Sequence, residues 1–96
     1  MPKFEVDVPH SLSPDEVRAR LEKASPKLEK EYGATCRWEN EQTLVVSRKG
    51  LNARVNVEPT RLHVNVDLGF LLSAMSGSIR SGITKQLTEL MSTPPA

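Results

Sequence analysis

Residues 66–91 read VDLGFLLSAMSGSIRSGITKQLTELM, and within them one spacing of apolar residues gives way to another. Up to Val66 the apolar positions fall on alternate residues, Leu62, Val64 and Val66, which is the period of a strand with one buried face. From Leu68 onward Leu71, Leu72, Met75, Ile79, Ile83, Leu87 and Leu90 follow at helical spacing. The stretch therefore predicts a strand that turns into a long C-terminal helix. One stripe of that helix is apolar and needs a surface to pack on.

The residues upstream supply such a surface. Ala53, Val55 and Val57 alternate with Arg54, Asn56 and Glu58, and Glu58-Pro59-Thr60-Arg61 joins this strand to the next by a tight turn. Thr43 to Lys49 and Ala34 to Asn40 read as two further strands, separated by the polar Glu39-Asn40-Glu41-Gln42. Connections this short allow only an antiparallel meander. At the start of the chain, Phe4, Val6 and Val8 alternate with Lys3, Glu5 and Asp7 as one more strand with a wet face.

Between the first strand and the meander lies a helix. Ser13-Pro14-Asp15-Glu16 carries a helix start: Ser13 as N-cap, Pro14 in the first turn, Glu16 placed for a capping box, with Leu12 and Val17 as the flanking staple. Val17, Leu21, Ala24, Leu28 and Tyr32 form its apolar stripe, and Gly33 its stop. Pro26 removes a hydrogen bond inside this run, which predicts a kink or two short helices with Ser25 as a second cap.

The element order is β-α-β-β-β-β-α. It predicts an α+β two-layer sandwich, in which a five-stranded, mainly antiparallel sheet carries a kinked N-terminal helix and a long C-terminal helix on one face. A curved sheet gripping the last helix, helix-grip-like, is the preferred form, with an open ferredoxin-like sandwich as the other arrangement. A single domain over residues 1–92 and a frayed tail at 93–96 complete the expectation. At 96 residues, folding buries only about 60 to 65% of the unfolded surface, so little volume is expected beyond a filled core.

Composition narrows the functional classes. Thirteen Lys and Arg against twelve Asp and Glu leave a net charge of +1 with no block of like charge, which argues against a nucleic-acid partner. No apolar window approaches the roughly 18 residues of a membrane span, and a lone cysteine, Cys36, argues against a disulfide or a multi-cysteine zinc site. A cytoplasmic protein is expected. His10 and His63 are the only histidines and read as solvated surface residues; Cys36 shares a face with Trp38 and reads as a packed thiol. No phosphate-binding glycine pattern is present, and no catalytic, metal or cofactor set stands out.

The C-terminal helix is unusual in carrying Ser73, Ala74, Ser76, Gly77, Ser78, Ser81 and Gly82, since each interior glycine costs roughly 1 kcal/mol relative to alanine. Close packing against the sheet or first helix, or a break near Gly77, would account for them. Otherwise Ser73, Gly77 and Ser81 offer a small-residue stripe for a homodimer, and Phe70, Leu71 and Leu72 an apolar contact with a partner.

Taken together, Phe4 to Pro9 leading into His10, Glu16-Val17-Arg18-Ala19-Arg20-Leu21, Trp38, Gly50, and Val66 to Leu72 followed by Ile79, Ile83 and Leu87 resemble the polyhydroxyalkanoic acid system (granule-region) family of small bacterial proteins. Position 69 departs from that pattern, where proline often precedes the leucines, and Gly69 is expected to loosen the junction. The resemblance implies a non-enzymatic accessory protein whose partner is the polyhydroxyalkanoate granule surface or a granule protein, and it carries over no site residues; Phe70, Leu71, Leu72, Ser73, Gly77 and Ser81, read from the helix itself, are the candidate contact residues. The alternatives are a small module binding an apolar molecule beneath the last helix, and a homodimeric interaction domain of unrelated role.

Overall fold

A computed structural model describes residues 3–92, so the tail expected at 93–96 lies outside the described residues. The elements are β1 (Lys3–Pro9), α1 (Pro14–Tyr32), β2 (Thr35–Asn40), β3 (Thr43–Arg48), β4 (Leu51–Val57), β5 (Arg61–Leu68), a 3₁₀ segment (Phe70–Met75) and α2 (Ser76–Ser92). The strands form one antiparallel sheet in the order β1-β5-β4-β3-β2. The first strand therefore closes the sheet beside the last. The expected α+β order and antiparallel sheet are the observed ones.

The alternation read from the sequence becomes rows of side chains across one face. Phe4, Val66, Ala53, Val46 and Cys36 are paired in register, and so are Val6, Val64, Val55, Leu44 and Trp38. Val8, Leu62 and Val57 make a third row. With Val17 and Leu21 of α1 and Met91 of α2 these rows build the core. Register is strongly specified here, because a slip by one residue would carry every buried valine to the wet face.

α1 begins as its sequence predicts: the Glu16 N–H donates to Ser13 Oγ at 3.2 Å, and Gly33, at φ 65°, ends it with an N–H bond to the Glu29 carbonyl at 3.1 Å. The Glu16 carboxylate does not close the capping box; it accepts from Arg20 Nε at 2.9 Å. Pro26 does not split the helix either. It lies on the exposed face, so the carbonyl it leaves unpaired can meet water, and the chain stays helical on both sides. Ser25 is no second cap, since its hydroxyl donates back to the Leu21 carbonyl at 2.9 Å.

The predicted helix over Leu68 to Leu90 is divided. Leu68 is still strand and fully buried, and Phe70–Met75 is wound as 3₁₀ before α2 starts at Ser76. With three residues per turn instead of 3.6, the 3₁₀ segment turns its side chains off the stripe. Leu72 remains against the core, whereas Leu71 is 85% exposed. The junction before it is tight rather than loose. Gly69 donates its N–H to the Gly50 carbonyl at 2.7 Å, a bond proline could not make, and a side chain at 69 would begin 3.3 Å from the Gly50 Cα.

Candidate functional site, an apolar groove beside an exposed 3₁₀ rim

Burial falls along α1 from 0% exposure at Val17 to 45% at Tyr32, and on the C-terminal side from the buried Met91 back to the exposed Met75. Both helices are thus buried at one end and more exposed at the other. At the closed end Arg20 of α1 donates to the carbonyls of Leu90 at 2.8 Å and Met91 at 3.3 Å, which occupies the unsatisfied, electronegative terminus of α2. Arg20 is thus a structural link between the helices. Its side chain is only 11% exposed.

Where the helices part they leave a groove of about 390 Å³. Ala53, Val55 and Val64 lie at the sheet side, Leu28 and Tyr32 come from α1, and Ile79, Gly82, Ile83 and Leu87 from α2. Leu72 and Met75 of the 3₁₀ segment line it as well. Gln86 Nε2 donates to the Tyr32 hydroxyl at 3.3 Å, a bond between the two helices at the groove. The groove is half open to solvent and lies beside the core rather than as a cavity within it.

The residues singled out in the sequence separate here. Phe70 is 87% exposed and Leu71 85%, next to Leu72 and Met75 at the groove. Ser73 turns inward on its own segment, its hydroxyl donating to the Phe70 carbonyl at 2.7 Å. Gly77 and Ser81 are exposed, and a side chain at Gly77 or Gly82 would meet nothing within 4 Å. Close packing inside the domain is thus not why Gly77 and Gly82 are present, whereas the change from 3₁₀ to α winding does fall beside Gly77.

The histidines are more constrained than solvated residues. The Leu12 N–H donates to His10 Nδ1 at 3.1 Å, which leaves Nε2–H to donate to the Glu58 carbonyl at 2.9 Å. This arrangement ties the α1 entry loop to the turn before β5. His63 lies on the outer sheet face, where Nδ1–H donates to Asp7 at 2.6 Å and Nε2–H to Glu5 at 3.0 Å. Two carboxylate acceptors need both ring nitrogens protonated. The hydrogen bond to Asp7, and then that to Glu5, raise the His63 pKa, while the His63 bond holds Asp7 below its ordinary value, with Arg61 at 2.9 Å adding to it. Carboxylates close to His63 in space are distant in sequence, so spacing did not reveal the cluster.

Cys36 packs as expected. Its thiol is half-buried, points to the Ser25 carbonyl at 4.0 Å, and is pushed up in pKa by burial. A broader hollow of about 650 Å³ lies on the outer sheet face over Glu5, Asn65, Arg54 and Asp67, but its charges are of mixed sign. Among the described residues no group of three or more His, Cys, Asp or Glu could hold a metal ion, and no helix is long and apolar enough to cross a membrane.

These features define a two-layer α+β domain whose sheet and splayed helices enclose an apolar groove. The chain belongs to the family described as "Putative polyhydroxyalkanoic acid system protein", whose model matches residues 4–91. That description assigns its members to the polyhydroxyalkanoate system. No curated protein matches the chain. Its structure is similar to the NMR structure of PA4090 from Pseudomonas aeruginosa, with a TM-score of 0.60 over 99% of this chain and 88% of that one. At 10% identity this likeness concerns the fold alone.

Proposed function

We propose that the protein is a non-enzymatic, cytoplasmic accessory protein of the polyhydroxyalkanoate system that attaches to the granule surface through the 3₁₀ rim. The observation that carries this reading is the exposure of Phe70 and Leu71 side by side, 87% and 85%, on a segment held firmly by the Gly69 to Gly50 bond and by Leu72. Large apolar side chains this exposed gain when an apolar surface covers them, about 1.5 to 3 kcal/mol each. Two of them give a reversible attachment. The family description names the polyhydroxyalkanoic acid system, and a polyester granule would offer an apolar surface of this kind.

Sedimentation with purified native granules tests the proposal. The protein is expected in the pellet, and the double variant Phe70→Ser, Leu71→Ser in the supernatant. Wild-type protein recovered wholly in the supernatant, with no granule protein captured, would sink the reading.

A second reading, favoured by the groove, is a module that binds a small apolar molecule between α1 and α2. Its volume of about 390 Å³ falls within the roughly 300 to 1,000 Å³ of small-molecule sites.

A further inference from the structure

The inner face of the sheet contains one residue that breaks its own pattern. Leu44 and Val46 of β3 point to the helices, and the alternation brings Arg48 to the same face. Register agrees: Leu68 pairs with Leu51, and Leu51 with Arg48, so the next row of the apolar face ends in a guanidinium. Arg48 lines the groove, and among the described residues it is the only charged one that does. Arg18, Arg20, Arg54, Arg61 and Arg80 are each engaged with a carboxylate or a carbonyl, whereas Arg37, on the opposite face of the sheet, and Arg48 are not. The Arg48 side chain has no hydrogen bond or ion pair among the described residues.

We infer that the groove takes a linear aliphatic carboxylate, with its hydrocarbon chain along Val46, Leu51, Ile79 and Ile83 and its head group on Arg48. This deepens the second reading above and rests on it. An apolar molecule without charge would satisfy the groove but leave the arginine unused. A single carboxylate matches a single guanidinium, whose paired N–H groups fit both carboxylate oxygens. Among the described residues the lining holds no carboxylate to compete with that head group. A neutral polyester chain offers Arg48 only ester carbonyls, weaker acceptors than a carboxylate, which separates this site from the exposed rim of Phe70 and Leu71.

Isothermal titration calorimetry of the intact protein with decanoate and decyltrimethylammonium, below their micellar concentrations, and with decanol, below its solubility limit, tests the inference. Decanoate is expected to bind roughly tenfold or more tightly than decanol, the effect of a charge-assisted hydrogen bond, and the ammonium compound most weakly. In Arg48→Gln, decanoate should fall to the level of decanol while decanol is unchanged. Arg48 is exposed, so this variant is expected to fold. Gly82→Phe places a side chain into open space at the groove and should abolish both ligands. Equal affinity for decanoate and decanol, unaltered in Arg48→Gln, would overturn the head-group assignment and leave the groove reading standing. Binding of neither compound overturns both, and decanoate binding insensitive to Gly82→Phe puts the site elsewhere and overturns the inference.

Discussion

At His63, one imidazole is shared between Asp7 and Glu5 of the neighbouring strand, and the sign of its effect on stability follows from the two shifts. A histidine raised above 6.5 contributes stability that is fully present below that value and is lost as pH rises through the raised one. Asp7, lowered below 3.8, contributes stability present above 3.8 and lost as pH falls through its lowered value. The pair therefore stabilises most between these limits. Denaturant midpoints should decline as pH rises from about 6.5, and His63→Gln should flatten that decline; an unchanged slope in the variant would refute the linkage. Gly50 is the other position where one residue type is required. Its φ of 85° and the Leu72 Cδ1 atom 3.3 Å from where a Cβ would stand predict that Gly50→Ala loses about 1 to 2 kcal/mol, measurable by urea unfolding.

The helices are best judged as elements by what holds them. Pro26 sits exposed within α1, and replacing it by alanine restores one hydrogen bond and removes a steric conflict. The gain of about 3 kcal/mol from helix propensity is offset by about 0.4 to 1 kcal/mol of lost chain restriction, so Pro26→Ala should stabilise the protein by roughly 2 kcal/mol. A midpoint at or below that of the wild type would contradict this. Arg20 joins the ends of both helices, and Arg20→Met should lose about 1 to 3 kcal/mol while keeping much of the aliphatic packing. Arg80 acts similarly at the sheet edge: it donates to the Glu5 carbonyl at 3.0 Å and lies 5.3 Å from the centroid of the Phe4 ring. An edge carbonyl so occupied is less open to pairing with another chain.

Across the whole molecule, order should be graded from the closed end of the helices to the open one. β5 is paired on both sides and holds Leu62, Val64, Val66 and Leu68 in full burial, whereas Tyr32 and the 3₁₀ rim face solvent. Native-state hydrogen exchange is expected to be slowest in β4 and β5 and fast at residues 28–32 and 70–75. Occupation of the groove should slow exchange at residues 28–32 in particular. Uniform protection of both ends of α1 would show that the helices do not part in solution as they do here.

Much of this was legible in the residues themselves. Period-two alternation made Val6, Val55 and Val64 strand residues with a known face, and Ser13 and Gly33 marked the limits of α1, because these signals are local properties of the chain. Phe70 and Leu71 were identifiable as apolar, but their exposure was not, since a shift from α to 3₁₀ winding changes which side chains share a face without changing the sequence spacing. Arg48 carried a signal that could have been read, the break in the Leu44, Val46 alternation. Its place at a groove depended on how far α1 and α2 diverge. The pairing of β1 with β5, the carboxylates around His63 that this pairing brings together, and the link from Arg20 to α2 all join residues far apart in the chain, and only the assembly of the sheet and the packing of the helices on it decided them.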